Sequence, residues 1–82
     1  MNHDLRVAIC HSITARAHLA GAEAAELKEA HAIAYDCGEA DPSCSLLHLA
    51  AAARRRYWRE VAAVQRLIGH PWPGAEALGV EP

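Results

Sequence analysis

The densest run of chemically capable side chains in this sequence is Arg54-Arg55-Arg56-Tyr57-Trp58-Arg59. A guanidinium group is a planar, permanently charged fork that matches a carboxylate or phosphate with two parallel hydrogen bonds. On a helix, His48, Arg55, Arg59 and Arg66 fall on one stripe, because their spacings of seven and four are close to two turns and one. Such a row suits an anionic partner, with Trp58 or Trp72 as an aromatic anchor. The expected partner-binding residues are therefore Arg55, Arg56, Arg59 and Arg66 with those two tryptophans. The plainer alternative is a solvated charged face, partly neutralised by acidic residues of the same chain. Net charge is −2, whereas nucleic-acid-binding domains usually carry a basic balance. An acidic protein surface is thus the favoured partner, and nucleic acid bound by the same arginines is the runner-up.

Cys37, Cys44 and His48 form a second constellation. Cys44 and His48 are one helical turn apart and share a face, and Cys37 precedes them across a short break. With Asp41 or His31 they have the donor types of a tetrahedral zinc site, though not the usual paired C-x-x-C knuckles. A Cys37–Cys44 disulfide and free thiols are the other readings, and free thiols are the default. With Asp41 capping the following helix, Cys44 falls in its first turn, where the helix dipole favours thiolate. The six histidines are scattered. His11 and His18 lie about 10 Å apart along a helix, and no pair has the i, i+4 spacing of a two-histidine metal site. No nucleophile stands in a recognisable activation motif. The expectation is a protein that is not an enzyme and has no cofactor or metal.

The elements that position these groups are set by one interruption, Gly38-Glu39-Ala40-Asp41-Pro42, between two alanine-rich segments otherwise free of proline. Glycine ends a helix in the left-handed conformation, and Asp-Pro begins the next. The predicted fold is all-α: a hairpin of two long antiparallel helices spanning about 4–36 and 42–69, with a turn at 37–41 and a tail at 70–82. Asp4 is the expected first N-cap. Ile9, Ile13, Arg16, Ala20, Glu23, Leu27, Ala30 and Ala34 make a heptad seam on the first arm. Arg16 and Glu23 reach water from its edge, or form a polar layer that fixes register. Leu46, Ala50, Ala53, Tyr57, Val61, Val64 and Ile68 make the second seam, widened by Leu47 and Trp58. A break at Gly21, giving a three-helix bundle, is the alternative; no cap or proline accompanies that glycine.

Charge divides between the arms. From Glu23 to Asp41 there are six acidic residues against Lys28, and from Ser45 to His70 five arginines against Glu60. Folding about the turn places Glu23 beside Arg56, and Glu26 near the next arginines. The first helix outruns the second, so Trp72 and Leu78 are expected to fold back over Leu5 and Ile9.

At 82 residues the chain reads as one domain near the lower limit for a self-sufficient core. Its apolar fraction of 52% is largely alanine, and aromatics are 5%. One thin seam points to a homodimer forming a four-helix bundle. There is no basic stretch leading into an apolar run like that of a signal peptide, and charged residues interrupt every candidate membrane span. These features point to the cytoplasm, without membrane attachment, where cysteines stay reduced.

Overall fold

A computed structural model describes residues 2–76 and 79–82, with the side chains of residues 40–42 left aside. Two helices, α1 (His3–Asp36) and α2 (Ala40–Ile68), pack against each other, and a short 3₁₀ turn follows at Pro73–Glu76. No strand occurs among the described residues. The Cα atoms span 53 Å along the hairpin and only 18 and 13 Å across it.

α1 begins one residue before the expected cap. Asn2, not Asp4, is the N-cap, and its side-chain oxygen accepts a 2.7 Å hydrogen bond from the Leu5 amide. That bond satisfies one of the amides a helix start leaves without a partner. The helix then runs unbroken through Gly21, which is buried. The three-helix alternative is excluded on this point, since alanines on both sides carry the helix past the cost of one glycine.

The turn is shorter than the sequence suggests. Gly38 takes φ +73°, so the Glu39 amide reaches the Ala34 carbonyl at 2.9 Å and the Gly38 amide reaches Tyr35 at 3.0 Å. This pair of bonds is the Schellman closure of a helix end. α2 can therefore start at Ala40, with Glu39 at the cap position and without a side-chain capping bond. Asp41 and Pro42 fall inside the first turn instead of opening it. Proline costs no hydrogen bond there, because first-turn amides have no helical acceptor. Cys44 consequently sits beyond the first turn.

The second seam matches its expected residues: Ala50, Ala53, Tyr57, Val61 and Val64 are buried, and Leu46 and Ile68 are half-buried. Leu47, expected to widen it, is exposed. On α1 the phase differs. Ile13, Ala17, Ala20, Ala24 and Ala34 are buried, so the line passes through Ala17 and Ala24 where Arg16 and Glu23 were expected. Ala30, on the expected seam, and its neighbour His31 are both half-buried. Size explains the choice. Tyr57 and Val61 fill the middle of the interface against Ala17 and Ala20, and large side chains on one helix need methyl groups opposite.

The tail departs most from expectation. Gly69 takes φ +78° and ends α2, after which the chain turns back along the hairpin. Trp72 lies edge-on to His18 at 6.0 Å, and its amide donates to the Gln65 side chain at 3.1 Å. Ala75 joins the core with Tyr57, whose hydroxyl donates to the Ala75 carbonyl. Farther on, the Glu81 carbonyl accepts from the Trp58 indole at 2.8 Å, and its carboxylate lies 3.5 Å from Lys28. Trp72 thus covers the middle of the hairpin, not Leu5 and Ile9, and Leu5 stays 52% exposed. Leu78 lies outside the described residues. A buried phenol must have a partner, and the Ala75 carbonyl supplies it at the middle.

Candidate binding face

Seven-residue spacing along a straight helix drifts by only about 20°, so α2 presents His48, Arg55 and, one turn on, Arg59 and Arg66 along its outer ridge. All four are exposed. None of the three arginines takes part in an ion pair among the described residues. Tyr57 and Val61, on the opposite side of the helix, anchor the ridge by burial.

Arg56 has a different place. Its guanidinium meets the Glu23 carboxylate at 2.8 Å across the hairpin, as the fold-over register predicts. Arg16 pairs in the same way with Glu60 at 3.3 Å. Arg16 and Glu23 are therefore not a buried polar layer; their side chains are 56% and 52% exposed, and they bridge the helices from the edge of the seam. Glu26 is exposed and joins no arginine among the described residues.

Arg54, absent from the expected partner-binding set, is where two shallow grooves meet. One groove is lined by Lys28, Glu29, Arg54, Val80 and Glu81. The other is lined by Arg54, Arg55, Arg59, Trp58, Ala51 and Pro82. Each has a volume of about 410 Å³. The second groove gathers three guanidinium groups and an indole at one place, with the tail as its rim. Trp58 is half-buried, edge-on to Tyr57 at 5.1 Å, and its N–H is taken by Glu81. The ring thereby offers its apolar body, not its donor. Trp72 is held on the tail side by His18 and Gln65. The structure thus brings Arg55, Arg59 and Trp58 together, continues the row at Arg66, and separates Arg56 and Trp72 from it. A periodicity reading could not have found Arg54, because its role depends on where the tail returns.

Burial pushes the Tyr57 hydroxyl above the ordinary phenol value. It stays protonated and donates to Ala75. At the hairpin tip, Cys37 and Cys44 are exposed free thiols. Among the described residues no three His, Cys, Asp or Glu side chains come together where a metal ion would be held. Nor is any described helix long and apolar enough to cross a membrane.

Comparison with known proteins finds no family model that matches the chain, no similar curated protein and no similar solved structure.

Proposed function

We propose that this protein is a small, non-catalytic helical binding module that pairs with a second copy and engages an acidic protein surface. A regulator, adaptor or inhibitor is the class of role that fits. The observation that supports the reading is the groove lined by Arg54, Arg55, Arg59 and Trp58. Carboxylates docking there meet guanidinium forks that join no ion pair among the described residues. The indole beside them provides apolar contact, the combination that makes Arg and Trp frequent anchors of protein interfaces. Arg66 extends the contact along the ridge, while Arg56 is occupied by Glu23.

Capture from a native lysate tests the reading. With the wild-type protein as bait, a partner should be retained after nuclease treatment and lost with Arg55→Glu/Arg59→Glu, whose helicity should match wild type. Loss of the partner on nuclease treatment would replace the acidic protein by nucleic acid. Unchanged capture by the charge-reversed bait would reduce the row to a solvated face.

A further inference from the structure

The hairpin has two broad sides, and the described residues of the tail cover only one. Trp58 and Lys28, which hold the tail through Glu81, point well away from Arg56 and Glu23, from which they are two and five residues distant on their helices. On the uncovered side the ion pairs Arg16–Glu60 and Glu23–Arg56 cross from helix to helix. Around them lie Leu19, 71% exposed, and Leu49, 53% exposed, each within one or two turns of an ion-pair member on its own helix.

We propose that this uncovered side is the surface on which a second copy of the chain docks, antiparallel, about a twofold axis crossing the hairpin level with Leu19 and Trp58. It rests on the pairing of two copies proposed above and assigns the face and symmetry of that pairing. The argument is charge and shape self-complementarity, which a twofold interface demands because one patch must match itself. An axis perpendicular to the helices at that level lays α1 over the partner's α1 and α2 over the partner's α2, each pair antiparallel. Arg16 and Glu23 stand on opposite sides of the α1 midpoint at nearly equal distances, so each faces the other's counterpart across the interface. Arg56 and Glu60 flank Trp58 by two residues each and do the same on α2. Leu49 and Leu67 flank it by nine residues each, so Leu49 meets the partner's Leu67. The two copies of Leu19 meet at the axis. Every opposed charge is of opposite sign, and all four adjacent helix pairs of the resulting bundle are antiparallel, the arrangement of up-down bundles.

Light scattering and cysteine cross-linking test this together. The wild-type protein at micromolar concentration should show twice its 8.8 kDa chain mass. Leu19→Glu and Leu49→Glu should return it to the single-chain mass with unchanged helicity. Leu47→Glu, at a residue 49% exposed but on the other side of α2, should leave the doubled mass intact. In a chain carrying Cys10→Ser, Cys37→Ser and Cys44→Ser, Leu19→Cys should form a covalent dimer under mild oxidation. Leu49→Cys should not, since its two copies would lie roughly 27 Å apart along the helices, far beyond the ~7 Å Cα limit of a disulfide. A wild-type protein of single-chain mass would overturn both the pairing and this face. A doubled mass that survives Leu19→Glu and Leu49→Glu, or cross-linking at Leu49→Cys and not Leu19→Cys, would overturn this face alone.

Discussion

The two broad sides of the hairpin are built from the same two helices, yet only one is closed by the chain itself. On the tail side, Ala75 completes a core with Ala17, Ala20, Tyr57 and Val61, and hydrogen bonds from Tyr57 and Trp58 hold the tail down. On the other side no described segment crosses the helices, and the bridges there are the partly exposed pairs Arg16–Glu60 and Glu23–Arg56. The two sides are therefore held by interactions of very different strength. Buried aromatic and aliphatic area with satisfied hydrogen bonds stabilises the fold, whereas exposed ion pairs each contribute only about 0–1 kcal/mol.

The largest expected effect is at the shared seam. Val61 is 1% exposed, and Val61→Asp should unfold the protein, because an unpaired carboxylate in that place costs several kcal/mol, roughly the stability of a small domain. Thermal denaturation followed by circular dichroism checks this. Glu60→Ala, its neighbour in sequence, removes a partly exposed charge that bridges to Arg16 and should shift the melting curve far less. Equal tolerance of both substitutions would mean that the seam runs elsewhere.

Next is the tail. Tyr57→Phe leaves the Ala75 carbonyl without its donor and should destabilise the protein by about 1–3 kcal/mol in urea denaturation. The pH dependence has a definite sign. The folded-state pKa of Tyr57 is raised by burial, so the stabilisation is complete below the unfolded phenol pKa of about 10. It is lost as pH rises through the folded value, because the tyrosinate is penalised in the core. Wild-type stability should fall in alkaline solution, and the Tyr57→Phe variant should not share that part of the decline.

The smallest effect belongs to the uncovered side. Glu23→Ala removes a carboxylate 2.8 Å from Arg56, but both partners are about half exposed, so the single-chain fold should lose less than about 1 kcal/mol. A loss comparable to that of Tyr57→Phe would show that this side carries as much of the fold as the tail side does.

The same contrast explains what the sequence made legible. The hairpin, its turn at Gly38, the second seam and the Glu23–Arg56 bridge follow from periodicity, one glycine and the register of an antiparallel fold. The first seam is half legible. Ile13, Ala20, Leu27 and Ala34 stand on it, but Ala17 and Ala24 displace Arg16 and Glu23, because alanine on every face of α1 leaves the phase undecided until Tyr57 and Val61 select methyl groups opposite them. Within the candidate site, the row Arg55, Arg59 and Arg66 is a matter of helical spacing and was readable. The place of Arg54 in the groove, and the removal of Arg56 and Trp72 from the row, depend on contacts far apart in sequence. The path of the tail is set by a tyrosine hydroxyl seeking an acceptor, and no local pattern announces that.

We propose that the arginines of α2 divide between internal bridging and external binding, and arginine side-chain NMR during titration probes that division. With nitrogen-labelled protein and a short oligoglutamate peptide as the probe, the Nε–H signals of Arg54, Arg55 and Arg59 and the Trp58 indole signal should shift and saturate. Those of Arg16 and Arg56, held by Glu60 and Glu23, should move far less. Uniform small shifts across all the arginines, or the largest shifts at Arg16 and Arg56, would contradict the division and with it the proposed binding face.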